Sequence, residues 1–146
     1  MFTESVNVKG DLEVRLFDEN GIQKDYRKIN NLVVAAGKDV IASRLVGNAI
    51  AIMSHMAVGS SNTAAVSSQT ALGAELGRVA LSSTNRSTNT ITYSASFPAG
   101  TGTGSLTEAG IMNAVSAGNM LCRTTFSPVT KSAGDSVVVT WNVTVA

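Results

Sequence analysis

Few residues of this chain could do chemistry, and their spacing decides which chemistry that would be. Glu108 and Arg123 are the first pair. They flank Ser116, Ala117, Gly118 and Asn119, in a region otherwise almost free of charge. Gly and Asn tolerate the positive φ that tight hairpin turns need. Residues 106–126 therefore read as one β-hairpin, its first arm ending near Ala114 and its second running from Met120 to Phe126. On facing arms an acid and a base can pair and fix strand register at a polar seam. A catalytic Glu108 is the weaker alternative.

His55 is the single histidine and Cys122 the single cysteine. Nucleophilic catalysis needs nucleophile, base and orienter within reach of one another, and the chain has no G-x-S-x-G elbow. One Cys and one His exclude an intrachain disulfide framework and the common Cys/His zinc sites. His55 stands on an apolar stretch, where a packed structural histidine is the expectation, because general-base work needs a nearby partner. Beyond residue 50 the carboxylates Glu75, Glu108 and Asp135 are widely spaced. Gly100, Gly102 and Gly104 invite a phosphate-loop reading, but the G-K-[ST] ending and the strand–loop–helix context are missing. No catalytic, cofactor-binding or metal-binding residue is assigned, and the expectation is a protein that is not an enzyme.

The elements that must position these residues are mostly strands. Leu12, Val14 and Leu16 alternate with Glu13, Arg15 and Phe17, the period of a half-buried strand. Asn20-Gly21 is a strong hairpin signal, and the return arm carries Lys24, Asp25, Arg27 and Lys28, as an exposed edge strand would. This gives a charged N-terminal hairpin at about residues 11–29. Asn30-Asn31 stands where a helix N-cap would, and Val33, Ala36, Val40, Ile41 and Leu45 follow at helical spacing. One helix is therefore expected near residues 32–46, closed by Gly47-Asn48, with Gly37 weakening its middle by about 1 kcal/mol.

Residues 50–58 read as a strand. Residues 69–81 read as a short helical turn around Leu72 and Leu76 that returns to strand at Arg78. Residues 82–88 read as a turn. Ile91, Tyr93, Ala95 and Phe97 alternate with hydroxyl residues, which marks a clear strand ended by Pro98. Ser127-Pro128 reads as a break, and residues 131–135 as another turn. Val137, Val139, Trp141, Val143 and Val145 form the cleanest alternation and predict a central strand paired on both sides. Tyr93, Phe97, Phe126 and Trp141 are the expected core anchors.

At 146 residues the chain fits one domain, 1–146, able to bury a core. Its charged fraction is 14%, low against the roughly 25% usual for soluble domains. A net charge of +1 gives no electrostatic footprint for nucleic acid. No apolar run approaches the ~18 residues of a membrane helix, and no secretory leader is evident. Fourteen of the 21 charged residues fall within residues 1–44. Beyond them Ser and Thr are the polar residues. Free monomers normally use Lys and Glu for solubility, whereas interface centres are depleted in charge. A weakly charged β-domain and a surface that faces other chains both fit.

Four blocks recur together and in order in small virion proteins of tailed bacteriophages. They are Asn31-Leu32-Val33-Val34 before a helix; Met56-Ala57-Val58-Gly59 before a Ser/Thr-rich loop; Thr70-Ala71-Leu72-Gly73 with Glu75-Leu76 and Arg78; and Leu106-Thr107-Glu108-Ala109-Gly110-Ile111. The last is joined by Met120-Leu121-Cys122-Arg123-Thr124 and a closing strand through Val138, Thr140 and Trp141. From about residue 30 to 145 the chain resembles tailed-phage structural proteins of the capsid cement or decoration type; similar modules occur in tail fibres and baseplates. That resemblance implies an antiparallel β-sandwich, jelly-roll-like, with no enzymatic activity and no cofactor. It implies a virion location, with the major capsid protein and further copies of the chain as partners. Nucleic acid and membrane are not among the expected partners. A carbohydrate-binding module is the third class, with Tyr93 and Trp141 as its few aromatic candidates.

Overall fold

The computed structural model describes residues 4–146. The chain runs β1 (Val8–Phe17), β2 (Gln23–Val33), α1 (Ala35–Leu45), β3 (His55–Gly59), β4 (Glu75–Ala80), β5 (Ser83–Ser87), β6 (Thr90–Phe97), β7 (Gly104–Met112), β8 (Met120–Lys131) and β9 (Ser136–Val145). It is mainly β, an open, curled antiparallel sheet with one helix. The strand order is β4-β3-β7-β8-β2-β1-β9-β6-β5.

The curl follows from what the strands must bury. Leu12 and Val14 of β1, Phe97 of β6 and Trp141 of β9 share one core with Met56 of β3 and Ile111 of β7. These residues come from opposite halves of the strand order. A flat sheet would leave them on water, and the intrinsic twist of strands carries the two halves round to meet. The halves are joined narrowly, because β2 pairs with β8 only at Leu32–Arg123 and Val33–Cys122. Near the two ends of the order, β4 and the penultimate strand β6 come into contact.

β9 is central, paired with β1 and β6 along its length. Its Val137, Val139, Trp141 and Val143 are buried while Val138, Thr140, Asn142 and Thr144 are less so. Trp141 lies between Leu12 and Tyr93 on the neighbouring strands and is fully buried. Phe97 is also fully buried and Tyr93 nearly so, but Phe126 is only half-buried at the margin of the core.

Several expectations are corrected by long-range pairing. Asn30 and Asn31 do not cap a helix. They remain in β2, whose last residues Leu32 and Val33 pair with β8. The helix starts at Ala35 behind Val34, which makes no side-chain cap; the N–H of Ala35 donates instead to the carbonyl of Ser67, one way to satisfy a free helix end. Gly37 has a packing reason, since a Cβ there would overlap the Leu121 carbonyl.

Residues 69–81 form no helical turn, and Leu76 stands in β4. Residues 83–87 are not a turn but the edge strand β5. It is exposed throughout, so neither face imposes the alternation that marks a strand. Regular strand before Gly59 begins only at His55; Met53 still reaches the core, while Ile52 faces water.

Pro128 does not end a strand. Between Leu106 and Glu108 the β7 ladder advances two residues while β8 advances from Val129 to Thr125. Pro128 lies inside this bulge, where its missing N–H costs no ladder bond. The charged return arm is a free edge as expected, since β2 from Gln23 to Asn31 pairs only with β1 and is largely exposed; β8 joins β2 only at Leu32 and Val33.

Candidate functional site

The bulge between β7 and β8 builds the site. Leu106, Ala109 and Ile111 join the main core, and the register shift between Leu106 and Glu108 lets both sides of the bulge do so. Glu108, Gly110 and Met112 are thereby turned to the opposite face. There Met112 packs with Val34, Ala57 and Met120, and Leu72 closes over them. The segment of residues 60–74 thus covers a face that the strands alone would leave open.

Glu108 and Arg123 lie beneath this cover, and both are buried. Arg123 is opposite Gly110 in the ladder and Glu108 is opposite Thr125, so the pair is diagonal on one face. Arg123 Nη2 and Nε lie 2.8 and 2.9 Å from Glu108 Oε2. The carboxylate also accepts from the backbone N–H of Ser61 (3.2 Å), Gly73 (2.9 Å) and Ala74 (2.7 Å). Arg123 Nη1 donates to the carbonyl of Thr63 (2.9 Å) and to Gln69 Oε1 (3.0 Å). Gln69 Oε1 accepts from the Val66 N–H as well. Two charges therefore fasten the start, middle and end of the covering segment.

Burying an ion pair is costly unless every lone pair and N–H finds a partner; here the carboxylate accepts four hydrogen bonds and lies against Arg123 Nη2 as well. Gly59 is required at this point, since a Cβ would collide with Glu108 Oε1 and the Ala74 carbonyl. With its oxygens so engaged, Glu108 can reach no outside group unless residues 60–74 move away. The arrangement acts as a clamp.

The hairpin tip is held separately. Ala117 and Gly118 both adopt positive φ, and Asn113 Oδ1 accepts the Asn119 N–H at 2.7 Å. Arg78 Nη1 donates to the carbonyls of Ala114 and Ala117, while its Nη2 pairs with Glu75 at 2.6 Å.

His55 and Cys122 are not brought together. His55 shares a face with Ala57 and Gly59, and its Nδ1 is 2.8 Å from Ser54 Oγ. Cys122 is in the main core on the other face, where burial pushes its thiol well up, so little reactive thiolate forms. The glycine run at 100–104 is a turn followed by strand β7; a Cβ on Gly77 would lie 2.7 Å from the Gly102 nitrogen. Among the described residues no group of three or more His, Cys, Asp or Glu could hold a metal.

Sequence reasoning missed a second set of buried charges. Lys131 Nζ donates to the Pro98 carbonyl at 2.9 Å, and Asp135 accepts from Lys24 Nζ and the Ser132 N–H, both at 2.9 Å. Of the seven charged residues beyond residue 44, Glu108, Arg123, Lys131 and Asp135 are buried.

The surface left by β5, β6 and β9 is therefore made of hydroxyls and amides. Cross-strand rows run Ser83–Ser94–Thr140 and Asn85–Thr92–Asn142. Thr92 Oγ1 donates to Asn142 Oδ1 at 2.8 Å, and Asn142 Nδ2 reaches Asp11 at 3.3 Å. Compared with known protein families, with curated proteins and with solved structures, the chain matches none.

Proposed function

We propose that this protein is a structural component of a tailed-phage virion, a capsid cement or decoration protein that bridges subunits of the shell. The observation that carries the reading is the outer face of β5, β6 and β9, several strands wide and nearly without charge because most charges of this half lie inside. Such a face suits contact with other chains, whose interface centres are also charge-poor. Its partners are the major capsid protein and further copies of itself. A subunit that binds only the assembled shell adds buried area across subunit boundaries and stabilises that state by mass action. On this reading the chain carries no catalytic activity and needs no cofactor. The curled sheet serves as a jelly-roll-like β-sandwich, a reading supported by the main core to which both halves contribute.

A tail-fibre or baseplate module is the second reading. The edge strand β5, exposed along its whole length, favours side-by-side association of copies into a ring or trimer. The test is to add the purified protein to expanded capsids that lack it. Saturable binding and a higher temperature of shell rupture are expected. Immunogold label confined to isolated tails would overturn the capsid assignment in favour of the second reading.

A further inference from the structure

The core does not fill the curled sheet to its end. Between α1 and the inner side of β6 and β9 lies a cavity of about 500 Å³. Its walls include Ile41 and Leu45 of α1, Leu121 of β8, Ile91 and Tyr93 of β6, and Val143 of β9. Small-ligand clefts span roughly 300–1,000 Å³, with apolar walls and a few convergent polar groups.

The polar groups here have one sign. Arg44 and Arg86 border the cavity, and no acidic residue does. Both arginines are exposed, which places them at its mouth. Arg44 donates to the Ile50 carbonyl at 3.1 Å and Arg86 to the Thr88 carbonyl at 2.8 Å. Neither has a carboxylate partner among the described residues. A guanidinium has five N–H donors, so each retains donors for an anion. Burial raises the Tyr93 phenol to about 12, so its hydroxyl stays a donor at neutral pH. Leu45 and Ile52 expose apolar surface beside these charges.

We propose that this cavity binds a single-chain fatty carboxylate, its hydrocarbon chain lying between α1 and strands β6 and β9 and its carboxylate held by Arg44 and Arg86. A peptide segment fits less well. Its backbone N–H and C=O groups would enter a space walled by apolar side chains and would lack partners. A hydrocarbon chain has no such groups. A second copy could offer the exposed Val115 of the hairpin tip, but residues 113–119 contain no acid and would leave both arginines unpaired.

The test is calorimetric titration of the whole chain with dodecanoate below its micelle concentration, beside dodecanol and dodecyltrimethylammonium. Saturable binding of dodecanoate is expected, with dodecanol about ten-fold weaker for want of a charge-assisted bond and the cation not bound. Ile52→Glu puts a carboxylate at the mouth on a residue that is 66% exposed. It is expected to weaken dodecanoate about ten-fold or more with the unfolding midpoint unchanged. Arg44→Gln with Arg86→Gln brings dodecanoate to the level of dodecanol. Absence of saturable binding, or equal binding of the cation, would overturn the site. So would self-association that Ile52→Glu abolishes and dodecanoate does not compete with; that result would give the cavity to a second copy.

Discussion

Arg123 meets Glu108 diagonally, across a ladder in which Gly110 is its direct partner. The offset leaves the carboxylate free to accept three backbone N–H groups from residues 60–74 while the guanidinium holds Thr63 and Gln69. Directly opposed, the pair would only tie two strands together. Diagonally placed, it also fixes the segment that covers them.

Removing either partner leaves a buried charge without its counter-charge. Glu108→Gln and Arg123→Met are each expected to cost about 3–5 kcal/mol. The double variant is expected to cost less than the sum, because the two share one network. Urea denaturation of the four proteins measures the coupling. Limited proteolysis of each should show earlier cleavage within residues 60–74. Strictly additive losses would refute the clamp.

Gly37 separates helix propensity from packing. In an open helix Gly→Ala stabilises by about 1 kcal/mol. Here the new Cβ meets the Leu121 carbonyl, which also accepts the Val34 N–H at 3.2 Å. Gly37→Ala is therefore expected to destabilise by about 1–3 kcal/mol, as overpacking does. A gain in thermal stability would show that α1 does not press on β8.

What the sequence revealed depended on where the information lay. β6 and β9 were legible because one face of each is buried and the other is not, so Tyr93, Phe97 and Trp141 alternate with hydroxyl residues. Glu108 and Arg123 stood out as lone charges, but the face they share is set by a bulge at Thr107, which no period reveals. β5 has no buried face and so no pattern. The start of α1 was misplaced because Leu32 and Val33 are held by β8, a partner distant in sequence. The cavity beside α1 was invisible for the same reason, since its walls come from six separate segments of the chain.

Acid should weaken the tie between β2 and the β8–β9 turn. The Lys24 ammonium, and then the Ser132 N–H, hold the Asp135 carboxyl below its ordinary value of 3.8. A carboxylate whose pKa is lower in the folded state contributes stability that is complete above its unfolded value and is lost as pH falls through the folded one. Lys24→Met removes the first cause. The stability gap between the two proteins is therefore expected to be largest above pH 3.8 and to close below it. Urea unfolding across that range measures it; a gap independent of pH would remove Lys24 as the cause.

The charge-poor outer face can be tested without disturbing the core. Asn85 on β5 and Ser96 on β6 are exposed, and their ladder partners place them in the rows with Thr92 and Val138. Asn85→Lys and Ser96→Glu bury nothing, so each should change folding stability by no more than about 0.5 kcal/mol. At the centre of an interface the same charges would be stripped of water without a partner, which costs several kcal/mol. On the proposed capsid role, binding to expanded capsids is therefore expected to fall about ten-fold or more while unfolding curves superimpose. Reversing the charge at each position should fail equally, because desolvation penalises either sign. Recovery with one sign alone would point instead to a specific charge on the partner, and undiminished binding by all of these variants would move the contact away from this face.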